Sequence, residues 1–440
     1  MNYTRSEVMQ YVEDNDVKFI RLAFCDIHGM QKNVAVMPCE LDRAFDTGVG
    51  FDASFVRGFM NEVKSDLFLV PDPGTFTVMP WRPSHGQVVR IFCDVCYPNG
   101  KPFEGDCRAL LKSAVKDARQ MGLSCKVGTA CEFYLFKTDE NGEPTLEPFD
   151  YGTYCDTAPQ DKCENVRREI CLALEAMGLR PETSRHEQGP EQNEIDFRYS
   201  NILTAADNFI AFKGAVKSVA EGNGLYASFM PKPLPGYSGS SLHVNMSLSR
   251  DGRNLFQMEN GRFAPEAESF MAGILRRVSE ITLFLNPLTN SYERFGRFEA
   301  PKYVTWSHQN RSQLIRIPAA PAPGHERMEL RSTDPACNPH LAFALLLWAG
   351  LEGIHDKLSL CPPDNRNLFQ VSEEDTSDLE HLPGNLSEAL QEAEHSEFIQ
   401  TYVPQKLRAS YFEQKRREWE RYRTSGNGQE FEHREYFLSV

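Results

Sequence analysis

The chain has 440 residues and a formal net charge of -15 at neutral pH, with an isoelectric point near 5.3. At about 150 residues per domain, this length predicts two or three domains and a large buried core. The acidic balance argues against nucleic acid or an anionic membrane as the main partner, because both repel negative charge. An anionic ligand would need a local cluster of cationic side chains or metal ions.

The sequence shows no sign of a membrane or secretory protein. No run approaches the roughly 20 apolar residues that span a bilayer, and the first residues lack the basic-then-apolar order of a secretion signal. The cysteines are scattered singly, without the spacing of a disulfide framework. We therefore expect a cytoplasmic protein whose cysteines are reduced packing residues.

The first hundred residues are predicted to form a turn-rich module of strands. Alternation at 17–24, a turn at 26–29 and a return at 33–37 indicate a hairpin. Prolines and glycine separate further strands expected at 66–70, 76–79 and 88–95. Helical spacing starts at residue 106, so we divide the chain into domains at 1–104 and 105–440.

The second part alternates helices with strands. Strands are expected at 130–136, 194–199, 241–248 and 328–331, and helices at 206–223, 265–285 and 339–358, with a polar pair of helices within 386–422.

Each of these strands is apolar on one face and carries acids, histidine, serine or arginine on the other, because successive side chains alternate. The polar set is Glu132, Glu194, His243, Asn245, Ser247, Glu329 and Arg331. It could be the solvated face of an antiparallel sheet. Its chemistry, however, is that of side chains that hold divalent metals and phosphates.

Common nucleotide-binding signatures are missing, since there is neither a G-x-x-x-x-G-K-[ST] loop nor a G-x-G-x-x-G turn after a strand. Arginines cluster instead within 38 residues, beside Glu299 and Glu329: Arg294, Arg311, Arg316, Arg327 and Arg331. Guanidinium groups bind carboxylates and phosphates through paired hydrogen bonds. By itself the cluster fits either an anion site or a surface network of ion pairs.

Ten segments, in order along nearly the whole chain, resemble the glutamine synthetase family, specifically the bacterial type I enzymes. They are FDASFVRGF at 51–59, SDLFLVPDPGTFTVMPWRP at 65–83, EFYLF at 132–136, QNEIDF at 192–197, FMPKP at 229–233, SGSSLHVNMSL at 238–248, NPLTNSYERF at 286–295, FEAP at 298–301, NRSQLIRIP at 310–318 and ELRSTDPACNPHLA at 329–342.

The resemblance implies an α+β fold, with a β-grasp-like N-terminal domain followed by a catalytic domain built on a curved antiparallel sheet flanked by helices. It implies a ligase that joins ammonia to glutamate through γ-glutamyl phosphate, with ATP as co-substrate and Mg²⁺ or Mn²⁺ as the metal. The implied assembly is a homo-oligomer, a dodecamer of two hexameric rings with active sites between subunits.

The resemblance also assigns roles to individual residues. Glu132, Glu187 and Glu194 would hold the metal near glutamate, and His243 and Glu329 the metal near the ATP phosphates. Arg294 and Arg331 would grip substrate carboxylates, with Gly239 and His243 nearby. Arg311, Arg316 and Arg327 would neutralise phosphate, with Asn245 and Ser247 beside the nucleotide. Glu299 would take a proton from ammonium, and Asp52 and Asp66 would serve the neighbouring subunit's site.

The chain departs from the family pattern near these residues. Ala130 replaces a glutamate two positions before Glu132, on the same strand face, so one ATP-side metal ligand is missing. Arg185 replaces a histidine, Glu191 a glycine, and Phe55 a small residue. Three interpretations stay open: a working synthetase with weakened metal binding, a ligase that joins glutamate to an organic amine, and an impaired paralogue with a binding or regulatory role.

Overall fold

The computed structural model describes residues 3–59, 65–82, 85–372 and 374–440. Pro83, the last residue of one family-like segment, lies outside these ranges. Two sheets organise the chain: one is built from strands up to residue 96, and the other from strands after residue 123. With helices around both, the predicted α+β class is confirmed.

The first sheet has the strand order β2-β1-β6-β4-β3, with β5 beside β6. Its part of the chain contains α1 (Arg5–Asp14), β1 (Val17–Cys25), β2 (Gln31–Val36), α2 (Leu41–Thr47), β3 (Val49–Asp52), β4 (Asp66–Pro71), β5 (Thr77–Val78) and β6 (Gln87–Cys96). The predicted hairpin is confirmed by antiparallel pairing of β1 with β2, and β1 pairs in parallel with β6.

The prediction of strands and turns alone for this region was wrong, because α1 and α2 also form here. A local signal for α1 is present in the sequence. The Thr4 side chain accepts a hydrogen bond from the Glu7 amide, while the Glu7 carboxylate accepts from the Thr4 amide. This reciprocal capping satisfies N–H groups at the helix start that have no partner within the helix.

The second sheet has the order β15-β16-β17-β13-β7-β10-β9, with β8, β11, β12 and β14 beside it. The elements after residue 104 are α3 (Cys107–Gln120), β7 (Ser124–Thr138), β8 (Pro144–Pro148), α4 (Glu164–Ala176), β9 (Pro181–His186), β10 (Gln192–Phe197), β11 (Ser200–Asn201), α5 (Ile202–Gly222), β12 (Leu225–Ser228), β13 (Leu242–Arg250), β14 (Arg253–Asn254), α6 (Pro265–Leu285), β15 (Trp306–His308), β16 (Ile315–Ile317), β17 (Met328–Leu330), α7 (Pro339–His355), α8 (Leu386–His395), α9 (Glu397–Tyr402), α10 (Gln405–Thr424) and α11 (Gly428–Tyr436).

The strands and helices predicted for this part are confirmed, except for the C-terminal helix pair. That segment forms α8, α9 and α10, because Ser396 and Pro404 divide it. Ser396 caps α9 by accepting a hydrogen bond from the Ile399 amide, and Pro404 stands immediately before α10. Proline cannot donate the backbone hydrogen bond that would continue a helix.

The apolar side of the second sheet packs on α5, where the Phe133 and Phe212 rings lie 6.0 Å apart. Beyond α5, the buried helix α7 packs against α6 through glycines. A Cβ atom added to Gly273 would lie 2.2 Å from the Ala349 carbonyl oxygen, so only glycine permits this approach. No helix in the described ranges has the length and apolarity needed to cross a bilayer.

A buried ionic cluster around Arg108, which is 5 % exposed, joins the region of the first sheet to helices α3, α5 and α7. Its guanidinium lies 2.8 Å from both Asp72 and Asp94 of the first sheet region and 2.9 Å from Asp207 on α5. His340 on α7 lies 2.8 Å from the other Asp207 oxygen. Burial alone would raise the pKa of Asp207, but Arg108 and His340 hold it well below its usual range.

We expect Arg108→Ala to destabilise the protein by about 3–5 kcal/mol, because it leaves the buried Asp207 charge without its main partner. Thermal unfolding measures the loss. Arg119→Ala is the matched control, since Arg119 lies on the same helix but is exposed. Equal melting temperatures for the two variants would contradict the role of the cluster.

Candidate functional site

The register of the second sheet places the charged residues in rows across its polar face. In one row, Glu132 on β7 is opposite Glu194 on β10, which is opposite Arg185 on β9. In the next row, Ala130 on β7 lies between Asp196 on β10 and His243 on β13. Residues far apart in sequence therefore meet because alternation and strand pairing align them.

This face lines a cavity of about 440 Å³ that adjoins a smaller pocket of about 30 Å³. Both are lined by Glu132, Glu187, Gln188, His243 and Glu299. The larger cavity adds Ala130, Arg185, Glu194, Asp196, Asn245, Arg311, Arg316, Arg327 and Glu329. The smaller pocket adds Gln192, Gly239, Ser241, Arg294 and Arg331. Most of the predicted site residues thus lie around one two-part space.

Glu132, Glu194 and His243 can offer ligand atoms that lie within 4.8 Å of one another. Burial, followed by the charge of Glu187, raises the pKa of Glu132 to about 8. Burial also lowers the pKa of His243 to about 3, which leaves a neutral imidazole with a free lone pair. Two carboxylates and a neutral imidazole fit a divalent cation, whose charge would displace the proton that Glu132 otherwise retains.

His243 and Glu329, the predicted ligands of a second, ATP-side metal, fit an ion less well than the cluster of Glu132, Glu194 and His243. His243 Nδ1 lies 3.6 Å from Glu329 Oε1, but both Glu329 oxygens are already bonded to arginines. Oε2 lies 2.6 Å from Arg316 and Oε1 lies 3.0 Å from Arg331. Although burial opposes ionisation, the charges of Arg331 and Arg316 hold the pKa of Glu329 at about 2. Ala130 supplies no carboxylate here.

The remaining arginines of the large cavity are less enclosed. Arg327 Nε donates to Asn245 Oδ1 at 2.9 Å, whereas Arg311 is about half exposed and lies 3.7 Å from Glu299. Together with Arg316 they place three guanidinium groups in the lining of the cavity. This concentration of positive charge in an acidic protein suits an anion with several oxygens, such as a polyphosphate.

The small pocket is built around Arg294, which is 1 % exposed. Its Nη2 donates to Ser241 Oγ at 2.6 Å and its Nη1 to the Ser332 carbonyl at 3.0 Å. A Cβ atom on Gly239 would lie 2.6 Å from the Arg294 side chain, which explains the glycine. The pocket also holds the fully buried Arg331, so it suits a carboxylate ligand.

Glu299 lies on a loop at the junction of the two spaces. One of its oxygens is 3.6 Å from Arg331 Nη2, and its backbone carbonyl accepts from the same nitrogen at 3.3 Å. The preceding residue, Phe298, has φ +53°, and the Lys232 ammonium lies 4.4 Å from its ring centre. The loop therefore presents a half-exposed carboxylate to the junction.

Three predicted site residues lie outside this space. Asp52 and Asp66 are opposite each other at the exposed end of β3 and β4. Asp52 accepts hydrogen bonds from Ser65 and Ser54 that lower its pKa. Ser247 is opposite Lys126, two residues beyond Asn245, and lines neither space. The remaining predicted residues surround the cavity and pocket.

Several further residues contribute to the site without having been predicted from the sequence. The Gln192 amide donates to Glu132 at 3.2 Å and to the Gly239 carbonyl at 3.0 Å, and Ser241 donates its backbone N–H to Glu132 at 2.7 Å. Asp196 lines the large cavity. Period-two alternation from Glu194 places Gln192 and Asp196 on the same face, so the strand pattern alone could have identified both.

Glu191 is an unusual residue in the loop between β9 and β10. It is fully buried and has φ +58°, a region that favours glycine. Its backbone N–H donates to Asp150 at 3.1 Å. Within the described ranges, neither carboxylate oxygen accepts a hydrogen bond from an N–H or O–H group. Burial raises the pKa of Glu191 to about 7, so this residue weakens the fold at neutral pH.

We expect Glu191→Gly to stabilise the protein by about 1 kcal/mol through relief of backbone strain, with a further gain above neutral pH. A raised carboxyl pKa means that the folded state binds the proton more tightly than the unfolded state. The protein with Glu191 therefore loses stability as the pH rises from about 4.5 through about 7. Melting temperatures at pH 5 and pH 8 test this expectation. Glu191→Gln separates charge from strain, and a gain independent of pH would contradict the contribution of charge.

Comparison with known proteins matches both parts of the chain to one family. Residues 16–98 match the model described as glutamine synthetase, beta-Grasp domain, and residues 104–434 the model described as glutamine synthetase, catalytic domain. A curated glutamine synthetase of Methanosarcina mazei is 46% identical over 96% of this chain and 95% of its own length. That of Clostridium saccharobutylicum is 45% identical over 98% of both chains, and that of Staphylococcus aureus 41% over 96% of both.

Solved structures give the same result for the fold. The structure described as "GmaS/ADP complex-Conformation 1" aligns with a TM-score of 0.87 at 29% identity, covering 99% of both chains. "Apo GmaS without ligand" aligns with a TM-score of 0.86 at 30% identity, covering 99% of this chain and all of the other. The likeness therefore extends over both sheets.

Proposed function

The chain belongs to the glutamine synthetase family, and we propose that it is an ATP-dependent glutamate–ammonia ligase that works through γ-glutamyl phosphate. The observation that carries this proposal is the meeting of Glu132, Glu194 and His243 at the junction of two arginine-lined spaces. One space suits a polyphosphate and the other a carboxylate, as phosphoryl transfer from ATP to glutamate requires.

The small pocket would bind glutamate. Arg294 and Arg331 are buried and would hold its carboxylate groups, and Gly239 leaves room for the Arg294 side chain. Glutamate would then direct its side-chain carboxylate towards the acidic junction. Fixing both reactants in this way converts their encounter into a step within one complex.

The large cavity would bind ATP. Arg311, Arg316 and Arg327 would neutralise phosphate oxygens, with Asn245 beside them, and Ser247 is assigned to the nucleotide only through the family pattern. Glu132, Glu187 and Glu194 would hold Mg²⁺ or Mn²⁺ with His243 beside them, and Glu329 would orient Arg316 and Arg331. A bound divalent ion supplies a Lewis acid that neutralises the transferring phosphoryl group.

Glu299 would accept a proton from ammonium, since its loop places a carboxylate where the two spaces meet. By the family resemblance, Asp52 and Asp66 would act in a neighbouring subunit's site, and in their own chain they lie exposed and outside the cavity. This arrangement requires an oligomer, for which we propose the family's dodecamer of two hexameric rings. We further propose domains at 1–104 and 105–440 and a cytoplasmic location.

We expect the protein to release phosphate when supplied with glutamate, ATP, Mg²⁺ and ammonium, and to lose this activity without ammonium. Ammonium is compared with methylamine in the same assay, because an organic amine as the better acceptor would contradict the assigned substrate. If no phosphate is released with either ammonium or methylamine, and the protein assembles normally in light scattering, the protein is an impaired paralogue.

We expect Ala130→Glu to lower the Mg²⁺ concentration for half-maximal rate by about tenfold. The new carboxylate would stand beside His243 on the same strand face as Glu132 and would restore an oxygen ligand near the phosphates. Ala130→Gln adds similar bulk without charge and is the control. An equal response of both variants would show that the missing carboxylate does not limit metal use.

A further inference from the structure

Arg185 occupies a position among the acidic residues that the proposed reaction does not use. It follows Glu132 and Glu194 in the row across the sheet, and it lines the large cavity. Its Nε lies 3.2 Å from a Glu187 oxygen, its Nη2 bonds to Glu194, and its Nη1 lies 3.0 Å from Asp196. One guanidinium thus contacts two of the three glutamates assigned to the metal.

The contact with Arg185 reduces the net negative charge of the glutamate cluster. Glu132, Glu187 and Glu194 together would place three negative charges in a largely buried space, which is unfavourable without cations. A guanidinium group stays protonated in proteins. The Arg185 side chain therefore adds one positive charge to the cluster, which the Glu187, Glu194 and Asp196 carboxylates share.

We propose that Arg185 is a resident cation of the glutamate cluster, whose single positive charge partly neutralises Glu187 and Glu194 before metal binds and thereby weakens the affinity of the site for a divalent ion. The inference rests on the proposed function, because it assumes that these glutamates hold the catalytic metal.

Metal binding would require Arg185 to release Glu194. A Mg²⁺ or Mn²⁺ ion needs carboxylate oxygens at short, well-defined distances, and an oxygen bonded to guanidinium is poorly available for it. The two cations also repel each other across the cluster.

The structure provides a second anchor for the released side chain. Arg185 Nη1 is bonded to Asp196 and also donates to Thr183 Oγ1 at 3.0 Å. These groups lie in the next row of the sheet, beside Ala130. Arg185 can therefore keep two partners while Glu194 turns to the metal, so exchange of cations does not leave the guanidinium unpaired.

The test is a titration of the assembled protein with Mn²⁺ alone, in which electron paramagnetic resonance measures the free ion. We expect Arg185→Gln to lower the dissociation constant for Mn²⁺ by about tenfold or more, because a like charge is removed from the cluster. Arg198→Gln is the matched control, since it removes the same charge from an exposed residue just after β10. It should change the constant by less than about twofold.

Two further variants keep the test decisive if Arg185→Gln does not assemble. Arg185→Lys retains the charge and should bind Mn²⁺ nearly as weakly as the unchanged protein. Asp196→Asn weakens the second anchor and should bind Mn²⁺ more weakly still, because the guanidinium then depends more on Glu194. Assembly of every variant is checked by light scattering and circular dichroism.

An unchanged or weaker affinity for Mn²⁺ in folded Arg185→Gln would overturn the inference, and so would tighter binding in Asp196→Asn. The titration uses neither ATP nor glutamate, so its outcome is separate from that of the phosphate-release assay. Tighter Mn²⁺ binding without ammonium-dependent release would refute only the proposed reaction. Ammonium-dependent release with unchanged Mn²⁺ affinity would refute only the role of Arg185.

Discussion

The burial of several carboxylates on one face of a sheet is the constraint on which the rest of the site depends. Glu194 and Glu329 are buried and Glu132 is partly buried, and a buried carboxylate must be protonated, paired with a cation or bound to metal. The structure uses different solutions in neighbouring positions. Glu329 is ionised between arginines, whereas Glu132 has a raised pKa and a geometry that suits a divalent ion.

The distribution of cations follows from this constraint. Ala130 offers no carboxylate beside His243, and the nearby Glu329 is saturated by Arg316 and Arg331. Arg185 in turn holds Glu187 and Glu194. Both features act in the same direction, because fewer carboxylate oxygens are left for metal and more of the neutralising charge comes from arginine.

The fold holds this charged site on well-packed secondary-structure elements. The opposite face of the same strands packs through Phe133 on α5, which in turn packs on α7. A second charged cluster around Arg108 fixes the first sheet to α3 and α5. The acidic side chains are therefore held by elements that cannot easily separate, which is what preorganised electrostatic catalysis requires.

Local patterns in the sequence were sufficient to predict the main strands, the long helices and the family. They also placed Glu132, Glu194 and His243 on the polar faces of their strands. Alternation and motif order depend only on neighbours along the chain. Such local patterns do not predict strand register. Pairing places Arg185 opposite Glu194 and Glu194 opposite Glu132 through hydrogen bonds between segments that are distant in sequence. Only the tertiary structure therefore decided that Arg185 holds the glutamates and that buried Glu191 lacks a strong partner.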